Sequence, residues 1–219
     1  MGEAVDLNKY CAQQIQIPPQ LPNILKQYTK AAIRTQPKCL LQWSAAYFRA
    51  MTNGEVPPSK DRMEYPENEA TSGLTMGMLR VLNKQLGPKG QVTKEEMRQK
   101  WKSMCLDTAY LEELFTVGNL PNPFEWIFFV GLSAGTLGKT LTDTMKTVCE
   151  VLTDQPDGAE PYIEMKTWWK VYMFMVEIDG KIPMLQVEQV QEYLTTIVSG
   201  NQDMIGPRDF LHQDCPQLH

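Results

Sequence analysis

The feature that most constrains this chain is a pair of apolar stripes separated by a single proline, between Ile15 and Met51. Ile15-Gln16-Ile17 alternates as an extended segment does. Pro18-Pro19 keeps it extended, because proline fixes its own φ and disfavours the α region for the residue before it. A helix can begin at Pro22, where the missing N–H has no intrahelical use. Leu21, Ile24, Leu25, Tyr28, Ala32 and Ile33 then recur at helical spacing, and Pro37 ends the run. A second helix is predicted from near Lys38, with Leu40, Trp43, Ser44, Tyr47, Phe48 and Met51 on one broad stripe. Two helices of about four turns are marginal alone in water. Two solutions remain open on pattern alone. The hairpin pairs with a second copy in an antiparallel four-helix bundle of two-fold symmetry, or it packs on the rest of its own chain.

The residues of this stretch resemble a known module. I-Q-I-P-P-x-L, then L-x-x-Y-T, then R-x-Q-P, then L-x-x-W-x-x-x-Y-F is similar to the dimerisation/docking domain of type II protein kinase A regulatory subunits. That resemblance implies a groove for an amphipathic anchoring helix, lined by Ile15, Ile17, Leu21, Leu25, Thr29 and Ile33. It implies a dimer core of Leu40, Trp43, Tyr47 and Phe48. Cys39 stands where that family has a helix-capping aspartate, and Pro22 where it has threonine; neither removes an apolar groove position. At 219 residues the chain lacks room for two cyclic-nucleotide domains. TKAAIRTQP, VCEVLTDQPDG and MIGPRDF instead resemble the ropporin family over nearly the whole length. This second resemblance implies a non-catalytic adaptor of sperm flagella and motile cilia, cytoplasmic and cytoskeletal, in the axoneme. Its implied partners are an A-kinase-anchoring-type protein of the radial spoke, a second docking-domain subunit (itself or a sister) and other radial spoke subunits.

Charge and cysteine usage narrow the partners. A net charge of −5 argues against a nucleic-acid polyanion, which requires concentrated Lys and Arg. Cys11, Cys39, Cys105, Cys149 and Cys215 are odd in number, scattered and never in CxxC spacing, so they read as reduced thiols. The acidic start MGEAVDLNKY has no signal h-region, and Asp6 stands where a myristoylation motif wants Ser or Thr. The apolar run from Phe124 to Leu132 is too short to span a bilayer. Neither membrane nor cofactor is expected.

The expected fold class is all-α: an N-terminal helical hairpin dimerising into the bundle, followed by a multi-helix C-terminal domain. The expected division is a flexible leader at 1–13, the docking domain at 14–54, a linker at 55–73 and a helical domain at 74–219. The linker, with three prolines and many charges, reads as a tether or an extended strap. Beyond it, helices are predicted over Leu74–Leu86, from the Thr93–Glu96 capping box through Met104, and from Asp107 to Gly118. Others are predicted from Asn122-Pro123, over Leu141–Leu152, Ile163–Ile178 and Met184–Ser199, with a turn at Pro207–His212. Every element reads as helical, and no internal repeat is evident. Fragment 1–54 is expected to be dimeric and helical alone, and 74–219 to fold without it.

Three features offer chemistry. Gly138-Lys139-Thr140 ends like a phosphate-binding loop, but the pattern needs glycine at Ser133 and a preceding strand, so a helix–helix turn is expected. His212 and His219 flank Cys215 without further ligands. Three stretches resemble calcium loops: 154–164, 177–182 and 201–210. None has its full ligand set. With Gly158 at loop position six, Thr153, Gln155, Asp157 and Glu164 are in place, but Glu160 falls where an apolar residue belongs. Gly180 at six puts Met175 first and Gln186 last; Ile205 at eight puts Val198 first and Asp209 last. The rival to the adaptor is therefore a calcium-responsive, EF-hand-like regulator. The aromatic run Trp168, Trp169, Tyr172, Phe174 is expected to be core.

Overall fold

The structure, a computed structural model, describes residues 17–65, 73–156, 158–198, 200 and 202–218. The expected leader 1–13, groove residue Ile15 and residues 66–72 of the expected linker lie outside the described residues. Among the described residues there are ten helices. They are α1 (Leu21–Thr35), α2 (Leu40–Asn53), α3 (Met76–Leu86), α4 (Lys94–Ser103), α5 (Thr108–Val117), α6 (Trp126–Leu137), α7 (Leu141–Leu152), α8 (Met165–Asp179), α9 (Met184–Val198) and α10 (Pro207–Phe210). The all-α class holds, and the helices start where the local chemistry directs. Thr93 accepts the Glu96 N–H while Glu96 accepts the Thr93 N–H, closing a capping box at α4. Asp107 accepts the Ala109 N–H at α5, and Thr75 accepts the Met78 N–H at α3.

Not every element is helical. Among the described residues, four two-residue strands form two antiparallel pairs, β1 (Gln91–Val92) with β2 (Phe124–Glu125) and β3 (Ile163–Glu164) with β4 (Met204–Ile205). They displace two predicted helix starts. Phe124 pairs with Val92, so α6 starts at Trp126, whose N–H reaches the Gly90 carbonyl. Ile163 pairs with Ile205, so α8 starts at Met165. Each strand pair ties two helix–loop–helix units together: α3/α4 with α5/α6, and α7/α8 with α9/α10. The chain therefore does repeat internally, four times over in shape.

The core of residues 74–218 is organised on α6, whose near-uniformly apolar sequence has no solvent face to offer. It packs on α3, α7 and α8. Gly131 permits the close approach of α8, since a Cβ there would sit 2.8 Å from Val171 Cγ1. Asn83 links the two halves, accepting from Trp126 Nε1 at 2.6 Å and donating to the Val151 carbonyl at 2.8 Å. Trp168 and Tyr172 are buried and stack at 5.2 Å, whereas Trp169 and Phe174 are half-buried. Gly138-Lys139-Thr140 forms the turn from α6 to α7, where Thr140 caps α7 by accepting the Asp143 N–H.

The hairpin packs partly on its own chain. Trp43 is fully buried between Tyr28, Tyr47 and Met51, and its indole N–H donates to the Pro58 carbonyl at 2.6 Å. Cys105, from the α4–α5 turn, closes the same cluster. Residues 55–65 run as an extended strap. Its Lys60 N–H meets Thr35 Oγ1, and Lys60 Nζ pairs with Glu64 at 2.9 Å. Glu64 then accepts from the Thr75 hydroxyl and the Gly77 N–H at the start of α3. A Cβ at Gly77 would come to 2.9 Å from Glu64 Oε1 and Lys60 Cδ, so a side chain there would displace the Lys60–Glu64 pair.

Glu64 makes this strap pH-dependent. Burial opposes its charge, but the bonds from Thr75, Lys60 and the Gly77 N–H outweigh it and hold the carboxyl below the ordinary glutamate range. A depressed carboxylate contributes stability above its unfolded pKa and loses it as pH falls through the folded value. Urea denaturation followed from neutral pH down through the carboxylate range should therefore show an acid loss of stability. Glu64→Gln should flatten this loss and lower neutral-pH stability by about 1–3 kcal/mol, because Lys60 stays buried without its anion.

Candidate docking face and paired loops

The groove and dimer residues expected from the sequence occupy two different environments. Ile17, Leu25 and Ile33 are 68%, 48% and 57% exposed, and Leu40 and Phe48 are also exposed. Leu21 is half-buried. Thr29 is exposed and donates its hydroxyl to the Leu25 carbonyl at 2.8 Å. Leu21, Leu25, Thr29 and Ile33 recur every four residues along α1, which places them on one stripe. Of the expected dimer core, Trp43 and Tyr47 are buried within the single chain, while Leu40 and Phe48 are not. Phe48 stacks on Tyr28 at 5.1 Å and meets Tyr47 edge-on at 5.4 Å, so it joins the inner aromatic cluster to the open face.

Leu41, at 84% the most exposed large apolar side chain among the described residues, was not among the expected site residues. It falls off the i, i+3, i+4 stripe of α2. The signal that marks it is the Leu40-Leu41 doublet at the start of that helix. Ile17, Leu25, Ile33, Leu40, Leu41 and Phe48 are exposed apolar side chains on or just before the helices of a hairpin whose Trp43 is already closed over by Pro58 and Cys105.

The paired loops have the shape of EF-hands without the ligands. In that motif, oxygen ligands stand at loop positions 1, 3, 5 and 12. The strand register puts Val92 opposite Phe124 and Ile163 opposite Ile205, at position 8 of each loop. Counting from there, the first loop presents Gln85, Gly87, Lys89 and Glu96, and the second Val117, Asn119, Pro121 and Phe128. The third presents Pro156, Gly158, Glu160 and Thr167, and the fourth Val198, Gly200, Gln202 and Asp209. The set does not fit calcium.

Two expected alignments are corrected by this register. Ile163 rather than Glu160 holds position 8, so the Gly158 alignment shifts by three residues; Thr153 donates instead to the Tyr162 carbonyl, and Asp157 lies outside the described residues. Residues 177–182 are no loop of this kind, because Gly180 is the left-handed cap (φ 64°) that ends α8. The stretch 201–210 does form a loop in the Ile205 alignment, although Asn201 itself is outside the described residues. The pair built on β1 and β2 carries no acidic signature at positions 1, 3 and 5 and was missed for that reason.

In the first loop a lysine stands at one of the ligand positions. Lys89 Nζ, from position 5, lies 2.6 Å from Glu96 at position 12. Its hydrogen bond, with that from the Thr93 N–H, holds the Glu96 carboxyl below the usual range. At α10, Asp209 accepts the Gly206 N–H at 2.8 Å and thereby serves as a cap. His212 Nδ1 accepts the Asp214 N–H, Cys215 donates to the Pro216 carbonyl, and His219 lies outside the described residues. No group of three His, Cys, Asp or Glu side chains is placed to hold a metal among the described residues. No described helix is long and apolar enough to cross a membrane. Calorimetric titration of the full chain with calcium should give no saturable heat at micromolar to millimolar concentration, and its melting temperature should not move with calcium or chelator.

A half-open helical hairpin strapped to two ligand-poor helix–loop–helix pairs defines an all-helical protein-interaction module. Comparison with known families gives the same class a narrower identity. Residues 4–55 match the Ropporin N-terminal domain, 77–139 the Ropporin middle domain and 140–205 the Ropporin C-terminal domain. The chain belongs to the ropporin family. Membership points to a sperm- and cilium-associated adaptor of non-catalytic type. The division at 139/140 falls in the α6–α7 turn, between the two strand-tied pairs.

Proposed function

We propose that this protein is a non-catalytic adaptor of the motile cilium and sperm flagellum. Two docking hairpins, from two copies or from one copy and a sister subunit, would associate and seat an amphipathic helix of an A-kinase-anchoring-type protein. Its place would be the axonemal radial spoke, with the paired helix–loop–helix domain facing other spoke subunits. The observation that carries this reading is the exposure of Ile17, Leu25 and Ile33 at and along α1 and of Leu40, Leu41 and Phe48 on α2. An apolar helix face recognises partners of this kind by i, i+3, i+4, i+7 anchors. The calcium-responsive alternative loses support from the residues at the loop positions.

The test is made on the full chain. Light scattering should give twice the mass of the 25.0 kDa chain. A fluorescent amphipathic helix should bind, and its affinity should persist at ~0.5 M salt, where screening has shortened the reach of surface charge. A chain that binds no such helix, either alone or mixed with a sister docking-domain subunit, would overturn the proposal. Phe48→Ala should raise the dimer dissociation constant by roughly tenfold or more, because each copy loses stacked aromatic surface. Docking should then fall as a consequence. Sedimentation across a dilution series measures the first effect, and peptide affinity at saturating protein concentration separates the second.

A further inference from the structure

We propose that Cys39 and Cys105 are a redox pair whose disulfide staples the docking hairpin to the helical domain. The two residues are 66 positions apart, yet the Cys105 thiol donates to the Cys39 carbonyl at 3.6 Å. They come from two corners that dock on one another. One is the turn between α1 and α2, and the other is the turn between α4 and α5, where Gln42 also donates to the Lys102 carbonyl at 2.8 Å.

Neither cysteine is accounted for by its local structure. Cys39 holds the N-cap position of α2 but makes no side-chain cap bond, and it is exposed. Cys105 has φ +59°, a left-handed backbone uncommon outside glycine, which persists only when the surroundings over-determine it. Here those surroundings are the Ala31–Trp43–Tyr47 cluster, against which Cys105 packs. Burial pushes the Cys105 thiol up, its bond to the Cys39 carbonyl draws it back down, and the charge of the Cys39 thiol raises it again. Burial pushes the Cys149 thiol far up, and that of Cys215 to about 11, away from the thiolate form that reacts, whereas Cys39 is exposed.

The oxidant is a hydroperoxide. The exposed Cys39 thiolate attacks the peroxide oxygen, the O–O bond breaks, and Cys39 becomes a sulfenic acid while water or an alcohol leaves. Cys105 sulfur then attacks the Cys39 sulfur, the S–S bond forms, the S–O bond breaks, and water leaves with the thiol proton. Two thiols lose two electrons in all, the peroxide gains them, and a dithiol reductant reverses the step. The bond would fix the hairpin corner against α4–α5 and hold the Trp43 side closed on its own chain, whatever occupies the open face.

The experiment treats the full-length protein with hydrogen peroxide and follows intact mass, cross-linked peptides and melting. The expected result is an intrachain Cys39–Cys105 peptide with the loss of two hydrogens, reversed by dithiothreitol. Closing so long a loop should raise the melting temperature by roughly 5–10 °C. Cys39→Ser and Cys105→Ser should each abolish both changes, while Cys149→Ser and Cys215→Ser should leave the cross-link intact. Melting of the reduced variants shows that each is folded. Pairing of Cys39 with Cys11 or with a second copy, or irreversible oxidation of Cys39 beside a free Cys105, would overturn the proposal.

Discussion

In the proposed dimer, Ile17→Glu should weaken binding of an amphipathic helix by two orders of magnitude or more without changing the assembled mass. Ile17 is 68% exposed and precedes α1, so no described contact of the hairpin core depends on it. Burying one isoleucine contributes about 1.5–3 kcal/mol, and a two-fold groove presents the position twice. The combined loss is ~3–6 kcal/mol, or about 10²- to 10⁴-fold in affinity. A glutamate adds the cost of placing a charge against an apolar partner without a counter-ion. Fluorescence polarisation at low and high salt measures the affinity, and light scattering checks the mass. A variant that bound normally would remove Ile17 from the groove, and steep salt sensitivity of the wild type would move the site to a charged surface.

The second large effect is on stability. Trp43→Ala should destabilise the hairpin and its strap by about 3–5 kcal/mol, the range for removing a buried large aromatic. Trp43 fills the space between Tyr28 and Tyr47, with centroids at 5.7 and 5.2 Å, and its N–H satisfies the buried Pro58 carbonyl. Trp43→Phe keeps most of the packing and should lose about 0.5–1.5 kcal/mol with the hydrogen bond. Urea denaturation of both variants, read with Trp101, Trp126, Trp168 and Trp169 as reporters of the helical domain, separates local from global loss. The same contact bears on the isolated hairpin. A fragment ending at residue 54 lacks both Pro58 and Cys105, so only a second copy could cover its indole. Comparing 1–54 with 1–65 by sedimentation and circular dichroism measures how much the strap contributes. Little difference between them would show that pairing of hairpins suffices.

Local chemistry made much of the secondary structure legible. The Thr93–Glu96 box, the Asp107 cap, the Pro37 stop and the Asn53-Gly54 end each act within a few residues, so the sequence states them outright. The apolar stripes of α1 and α2 were equally plain, because side chains at helical spacing must share a face. What covers those stripes was not. Trp43 and Phe48 lie five residues apart on one helix, yet one is closed by Pro58 and Cys105 and the other is open. Nothing in their spacing distinguishes them.

The paired loops show the same limit. A two-residue strand has no period to detect, and Val92 with Phe124, or Ile163 with Ile205, becomes a pair only when helices distant in sequence bring the two together. With carboxylates at only scattered ligand positions, the four-fold recurrence of helix, loop and helix leaves no repeated residues to find. The sequence by itself determined the helices, their caps, the family and the two apolar stripes, because each rests on contacts within a turn or two or on matched residue patterns. Only the tertiary structure decided which stripe residues stay open, which loops pair, and that Cys39 meets Cys105. Those depend on packing between segments whose proximity no local spacing encodes.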